Sequence, residues 1–153
     1  MLVTYKPRIR INFVSAGTRF LGSLAGFEDL STENQYSATA LVWEGQRAND
    51  PGENRVSKAL RLYGIPVDLC ISAMPCRDPA ARTKHMGLSY EVQSRMFERH
   101  HDWFRKYFRR VNDAMCAAIA RQESTLSVAV YCKSGRHRSV AAVEIATHVL
   151  QNS

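Results

Sequence analysis

Residues 126–139, LSVAVYCKSGRHRS, join an apolar run to a short polar loop, and this junction determines the predicted architecture. The run 126–131 is typical of a buried β-strand, and the segment 140–150 that follows the loop has a helical pattern. The loop itself reads C-x5-R-S, from Cys132 through Arg138 to Ser139. Because a helix that follows such a loop points its free backbone N–H groups at it, the pattern predicts a binding site for phosphate or a similar oxyanion.

Strand-like and helix-like segments alternate along the rest of the chain. Three further segments are strand-like, at 8–16, 38–43 and 65–73, and the last of these is an apolar run typical of a buried central strand. Two further segments have helical spacing, at 55–63 and over about thirty residues from Ser89. This order predicts one α/β domain over residues 1–153, with a mostly parallel sheet flanked by helices.

Two polar loops are predicted to meet at one edge of that sheet. The loops 74–87 and 132–138 both follow strands, and ligands bind beyond the carboxyl ends of parallel strands. In the second loop the backbone amides of 134–138 would surround the anion, Arg138 would grip it, and Ser139 would donate a hydroxyl. The predicted ligand-binding residues are Arg77, Lys84, His85, Cys132, Lys133, Ser134, Gly135, Arg136, His137, Arg138 and Ser139.

Composition and charge limit the classes of partner. The chain carries a net charge of +7, which favours anions such as phosphorylated metabolites, free phosphate or sulfate, or nucleic acid. It contains no long apolar run and its first residues lack the apolar segment of a signal peptide, so we expect no membrane partner and a cytoplasmic location. The spacing of its four cysteines matches neither a metal site nor a disulfide framework, and no motif calls for a cofactor.

The loop resembles the signature H-C-x5-R-[ST] of cysteine-dependent phosphatases. Cys132, Arg138 and Ser139 occupy the matching positions, whereas Tyr131 stands where that signature has histidine. In such an enzyme Cys132 would be the thiolate nucleophile, and Asp78, on the other polar loop, would protonate the leaving group. This resemblance leaves open a catalytic function.

A closer resemblance is to the C-terminal domain of the RapZ (YvcJ) family, a family of RNase adaptor and nucleotide-binding proteins. The family's late strand, loop and helix resemble C-[TK]-[GS]-G-x-H-R-S-V-x-x-x-E, and the matching residues are Cys132, Lys133, Ser134, Gly135, His137, Arg138, Ser139, Val140 and Glu144. Segments around 77–79 and 87–93 also resemble the family. The similarity extends over about 65–152, and residues 18–64 look divergent or inserted.

The RapZ resemblance implies a module that senses a phosphorylated metabolite of the amino-sugar phosphate type, with RNA as a further candidate partner. It favours a binding protein over an enzyme, and it implies a homo-oligomer. Members of the family carry an N-terminal domain with a Walker A motif, which is absent here, so the chain is expected to be the C-terminal domain standing alone. A basic tail that RNA-binding members use is also absent.

The segment 95–110 mixes Arg and Lys with aromatic residues and offers a second explanation for RNA binding. Its aromatic residues fall on the apolar stripe of the predicted helix, where packing in the core is the expected use. Its cations would then form a solvated outer face. The pattern therefore favours a structural role for this segment.

Overall fold

The computed structural model describes residues 8–31, 50–77 and 87–152. Its elements are β1 (Arg10–Gly17), α1 (Thr18–Leu21), a 3-10 turn (Glu28–Ser31), α2 (Glu53–Leu62), β2 (Leu69–Ser72), α3 (Tyr90–Arg99), α4 (His101–Ala120), β3 (Thr125–Cys132) and α5 (Arg138–Gln151). The chain is therefore an α/β protein, as predicted. The predicted strand at 38–43 lies outside the described residues.

The described sheet has three parallel strands in the order β1-β3-β2. The middle strand is β3, in which every residue from Leu126 to Cys132 is buried. The prediction that 65–73 forms the central strand is wrong for the described sheet, because β2 has only four residues and lies at its edge. The apolar residues Ile65 and Val67 belong to the connection between α2 and β2, and they pack against the core there. The apolar run 65–73 is therefore longer than the strand that it contains.

Alternate residues of β3 face two separate cores. Val128 and Val130 pack with side chains of α3, α4 and α5 on one face of the sheet, whereas Ala129 and Tyr131 pack with α1 and α2 on the other. This alternation follows from the two-residue period of a β-strand. None of the described helices combines the length and the apolar composition that are needed to cross a bilayer.

The long helical pattern after Ser89 forms two helices rather than one. The backbone leaves helical geometry at His100, with φ −129° and ψ 43°, where α3 ends and α4 begins. The buried His100 ring accepts a hydrogen bond from the backbone N–H of Arg77 through Nε2, at 3.0 Å. The prediction missed this break because hydrophobic periodicity continues through it.

The aromatic residues of α4 pack in the core, which confirms the structural reading of that segment. Phe104 and Tyr107 are both 1% exposed, while Arg105 and Arg109 lie on the exposed face. The Tyr107 hydroxyl donates to the carbonyl of Ala142 at 3.2 Å, which ties α4 to α5. Phe104 and Tyr107 therefore hold the helix against the core.

The helix predicted at 55–63 is confirmed, together with its end at Gly64. Helix α2 ends in a Schellman motif, in which the N–H of Gly64 donates to Arg61 and the N–H of Ile65 donates to Leu60. Gly64 has φ +81°, a conformation that costs glycine little. This end turns the chain toward β2.

We expect the protein to lose stability in alkali. Burial, with a smaller contribution from the charge of Glu53, raises the pKa of the Cys70 thiol from 9.0 to about 12. Above pH 9 the unfolded chain loses this proton and the folded chain keeps it, so the free energy of unfolding falls by about 1.4 kcal/mol per pH unit for this group, up to about pH 12. Burial also raises the pKa values of Tyr107 and Tyr131, which adds to the loss above pH 10.

Urea unfolding between pH 8 and pH 12 measures this loss. The variant Cys70→Ala should show a shallower decline than the wild type between pH 9 and pH 12, whatever its stability at pH 8. Equal slopes for the two proteins would contradict the assignment to Cys70. Cys116→Ala is the matched control because this thiol is exposed, and its slope should equal that of the wild type.

Candidate functional site

The loop between β3 and α5 lies at the carboxyl end of the central strand. It begins after Cys132 and ends at Arg138, the first residue of α5. Gly135 turns the loop with φ +70°, in the left-handed region that favours glycine. The strand before the loop is buried from Leu126 to Cys132, so the core fixes the position at which the loop begins.

The end of β1 and the start of α1 hold one side of this loop. The N–H of Arg19 donates to the carbonyl of Lys133 at 3.1 Å, and the Thr18 hydroxyl donates to the same oxygen at 3.4 Å. A Cβ added to Gly17 would lie 2.6 Å from the carbonyl carbon and oxygen of Ser134. Only glycine allows the two backbones to approach so closely.

Gly87, which lies shortly before α3, contacts the opposite side of the loop. The N–H of Gly87 donates to the carbonyl of Arg136 at 3.0 Å. A Cβ on Gly87 would lie 2.4 Å from the carbonyl oxygen of His137 and 2.6 Å from the nitrogen of Ala141. The loop and the first turn of α5 are therefore fixed from both sides by main-chain contacts.

The thiol of Cys132 forms the floor of the loop. The residue is 1% exposed, and its Sγ accepts the N–H of Gly135 at 3.3 Å. The thiol also lies 3.3 Å from the hydroxyl of Ser139, to which it donates. Ser139 is fully buried and pairs with the hydroxyl of Ser15 at 3.0 Å. This chain of polar contacts links the ends of β1 and β3 to the start of α5.

Arg138 is held by one edge of its guanidinium group. Its Nη1 donates to the carbonyls of Met74 at 3.1 Å and Cys76 at 3.0 Å. Its Nε and Nη2 donate to no residue in the described part of the chain, and the side chain is half-buried. A planar group fixed in this way keeps a second edge for two oxygen atoms of one anion.

The other predicted residues of the loop differ in exposure. Ser134 and Arg136 are exposed, whereas Lys133, Gly135 and His137 are half-buried. The carbonyl of His137 accepts the N–H of Ala141 at 2.8 Å and so closes the first turn of α5. That first turn contains no acidic residue, so its positive dipole end is not neutralised from within the helix.

The second predicted loop meets the first through backbone atoms. Met74 and Cys76 supply the carbonyls that hold Arg138, and the side chain of Arg77 is exposed just beyond them. The predicted residues Asp78, Lys84 and His85 lie outside the described residues, so their roles stay predictions. In the described part of the chain, no three His, Cys, Asp or Glu side chains come together in a way that would hold a metal ion.

Tyr131 is not part of the loop, although it precedes Cys132. Its side chain faces the opposite side of the sheet, where its hydroxyl donates to Asp50 Oδ1 at 2.6 Å. The Ser72 hydroxyl donates to Oδ2 of the same carboxylate at 2.6 Å, beside a cavity of about 360 Å³. Burial, and then the hydrogen bond to Asp50, raise the pKa of Tyr131. The histidine of the phosphatase signature therefore has no structural counterpart here.

Several residues that shape the site were not predicted. Ser15, Gly17, Thr18 and Arg19 belong to the end of β1 and the start of α1, and His100 lies at the break between α3 and α4. The glycine that ends β1 was visible in the sequence, but its partner in space was not. Nothing local in the sequence connects Gly17 with Ser134, because the contact spans most of the chain.

A comparison with family models gives one match over much of the chain. Residues 62–153 match the model of the RapZ C-terminal domain, which is more than half of the sequence. Comparisons with curated proteins and with solved structures give no significant match. The matched range contains β2, α3, α4, β3 and α5, whereas β1 and α1 lie outside it.

Proposed function

Because this chain belongs to the RapZ C-terminal domain family, we propose that it binds the phosphate group of a phosphorylated small molecule in the loop 132–139. The expected ligand class is a sugar phosphate of the amino-sugar type, as the family resemblance implies. The proposed action is recognition of the ligand rather than its chemical conversion.

The arrangement of Arg138 is the observation that carries this proposal. Its guanidinium is fixed by two carbonyls on one edge, while Nε and Nη2 donate to no described residue. The side chain is thus pre-ordered, and a bound anion would not have to offset the entropy of fixing it. Two parallel charge-assisted hydrogen bonds to one phosphate are the strong form of this contact.

The loop backbone supports the same proposal. Gly135 has a left-handed conformation and is followed by the start of α5, and both features occur in backbone sites that bind anions through N–H groups. Lys133 and Arg136 add positive charge at the rim, and Arg136 is exposed. The buried thiol of Cys132 fills the floor as a small residue with a hydrogen-bonding sulfur.

Titration with inorganic phosphate tests the proposal. In ¹⁵N NMR spectra of the protein, the amide resonances of Gly135, Arg136 and Ser139 should shift and saturate, while those of Gln122 and Ser124, at the opposite end of β3, should not. A titration with chloride at equal ionic strength is the control for screening. Phosphate shifts that do not saturate, or that chloride reproduces, would contradict a specific site.

A second candidate function is favoured by the contacts of Cys132. Its Sγ accepts a loop N–H and lies next to the Ser139 hydroxyl, which are groups that would stabilise a thiolate in a cysteine-dependent phosphatase. In that reaction Sγ would attack phosphorus, the leaving oxygen would take a proton from a general acid such as Asp78, and water would then release the phosphate.

Incubation with an aryl phosphate between pH 5 and pH 8 separates the two functions. We expect no turnover by the wild type, and we expect Cys132→Ser to retain phosphate binding within about threefold because the hydroxyl keeps the polar contacts of the floor. Turnover by the wild type that Cys132→Ser abolishes would instead establish the enzyme. Cys116→Ser, which changes an exposed thiol on α4, is the matched control.

A further inference from the structure

One peptide group connects Arg138 with the break between α3 and α4. The carbonyl of Cys76 accepts a hydrogen bond from Nη1 of Arg138 at 3.0 Å. The N–H of Arg77 donates to Nε2 of His100, also at 3.0 Å. That carbonyl and that N–H belong to the same peptide bond, which is planar and therefore moves as one rigid unit. His100 and Arg138 thus bind the two ends of a single peptide group.

The core fixes the place of the His100 ring. The N–H of His100 donates to the carbonyl of Met96 in α3, and its carbonyl accepts the N–H of Phe104 in α4, both at 3.0 Å. Met96 and Phe104 are buried, and His100 itself is 8% exposed. The backbone that carries the ring is therefore tied to both helices, and Nε2 lies at a position that the packing of these helices determines.

The hydrogen bond at Nε2 strengthens the contact at the other end of the peptide group. A backbone N–H can only donate, so Nε2 must carry a lone pair, and the neutral His100 ring has its proton on Nδ1. Accepting this N–H polarises the peptide group, which makes its carbonyl a better acceptor. The donor at that carbonyl is the cationic guanidinium of Arg138, so the gain falls on a charge-assisted hydrogen bond.

His100 also secures the end of the turn that supplies both carbonyls to Arg138. The turn begins at Ala73, whose N–H donates to the carbonyl of Tyr131 in β3 at 2.8 Å, and the N–H of Cys76 donates back to the carbonyl of Ala73 at 3.1 Å. At the end of the turn, the peptide group after Cys76 is bound by His100. Loss of that acceptor would let the peptide group rotate and carry its carbonyl away from Nη1 of Arg138.

We propose that His100 is a positioning residue for the phosphate site. It acts through the peptide group between Cys76 and Arg77 and holds Arg138 in the orientation that receives the anion. This inference rests on the proposed phosphate site and adds the device that keeps its arginine ordered. His100 itself does not contact the anion in this arrangement.

Calorimetric titration of three variants with inorganic phosphate tests the inference. His100→Leu removes the acceptor and should weaken binding by about 3- to 10-fold, because Arg138 must then be ordered when the anion binds. His100→Gln can place an amide oxygen close to the position of Nε2, so its affinity should stay within about twofold of the wild type. His101→Leu makes the same change at the neighbouring, exposed histidine and is the matched control, with unchanged affinity expected.

A second measurement needs no ligand and distinguishes positioning from mere stabilisation of the fold. The ¹⁵N NMR order parameter of the Nε–H bond of Arg138 should fall in His100→Leu and keep its wild-type value in His100→Gln. A histidine that only stabilised the fold would change the free energy of unfolding and leave this order parameter unchanged. If His100→Leu does not fold, His100→Asn repeats both measurements, because its shorter amide cannot reach the position of Nε2.

The outcomes separate the inference from the function on which it rests. A loss of less than about threefold in His100→Leu, or an equal loss in His100→Gln or His101→Leu, would overturn the positioning role and leave the phosphate site standing. An unchanged order parameter of Arg138 in His100→Leu would also overturn it. Failure of the wild type to bind inorganic phosphate would overturn the proposed function and the positioning role together.

Discussion

Replacing Arg138 by alanine is expected to weaken phosphate binding by about 10- to 100-fold. The reason is the loss of two charge-assisted hydrogen bonds from Nε and Nη2, each worth about 1.5–3 kcal/mol in proteins, offset in part by water that enters the space. The dissociation constant for inorganic phosphate, measured by calorimetry or NMR titration, gives the result directly. A change of less than threefold would contradict the assignment of Arg138.

Two further variants make the Arg138 experiment specific. Arg138→Lys keeps the charge but lacks the two parallel N–H donors of the guanidinium group. This variant should therefore bind phosphate more weakly than the wild type and more tightly than Arg138→Ala. Arg109→Ala removes an exposed arginine from α4 and lowers the net charge by the same amount, so it should leave the affinity unchanged. Equal losses in Arg109→Ala and Arg138→Ala would show that only the net charge matters.

Arg138 also has a structural role, which the same variants report. Without Nη1, the hydrogen bonds that Arg138 donates to the carbonyls of Met74 and Cys76 are lost. We therefore expect Arg138→Ala to lower the free energy of unfolding by about 1–3 kcal/mol, whereas a surface change such as Arg109→Ala should cost less than about 0.5 kcal/mol. Circular dichroism before each titration confirms that the variant is folded.

Replacing Gly17 by alanine is expected to destabilise the protein by about 1–3 kcal/mol and to abolish phosphate binding. The new Cβ would lie 2.6 Å from main-chain atoms of Ser134 and 2.8 Å from the nitrogen of Gly135, and backbone atoms cannot rotate away. Overpacking of this kind typically costs about 1–3 kcal/mol, and here it also displaces the loop. Urea unfolding and a phosphate titration measure the two effects.

Gly26→Ala provides the matched control for Gly17→Ala. Gly26 has φ +88°, and no atom of the described residues lies within 4 Å of an added Cβ, so alanine there is expected to cost only conformational strain of about 1–2 kcal/mol. Phosphate affinity should be unchanged in this variant. If Gly17→Ala behaved like Gly26→Ala in both measurements, the close contact between β1 and the loop would not be needed for binding.

Much of the architecture was accessible from the sequence because it depends on local patterns. The sequence predicted three elements correctly: the strand that leads to Cys132, the helix after Arg138 and the helix that is followed by Gly64. These predictions succeeded because the spacing of apolar residues and the position of a glycine can be recognised within a short segment. The continuous apolar run 65–73 predicted a central strand, whereas β2 lies at the edge of the described sheet. Length of an apolar run reports burial, and burial alone does not distinguish the middle of a sheet from its edge.

The site was predicted only in part, because its supports are distant in the chain. The loop residues were found through their spacing, but Ser15 and Gly17 touch that loop across more than a hundred residues. The role of His100 depends on the backbone N–H of Arg77, which no pattern of side chains reveals. Most residue types can make a contact through main-chain atoms, so the sequence gives no sign of where such contacts form.

The pairing of β1 with β3 has a consequence for the order of events in folding. Gly17 pairs with Cys132, so the loop after β3 and the strand that supports it are more than a hundred residues apart in the sequence. Parallel pairing over such a separation is slow, because the entropy of closing the loop must be overcome before the contacts form. During synthesis on the ribosome, Gly17 can contact Ser134 only after β3 and the loop that follows it have been made, so β1 cannot fix the proposed anion site before that point.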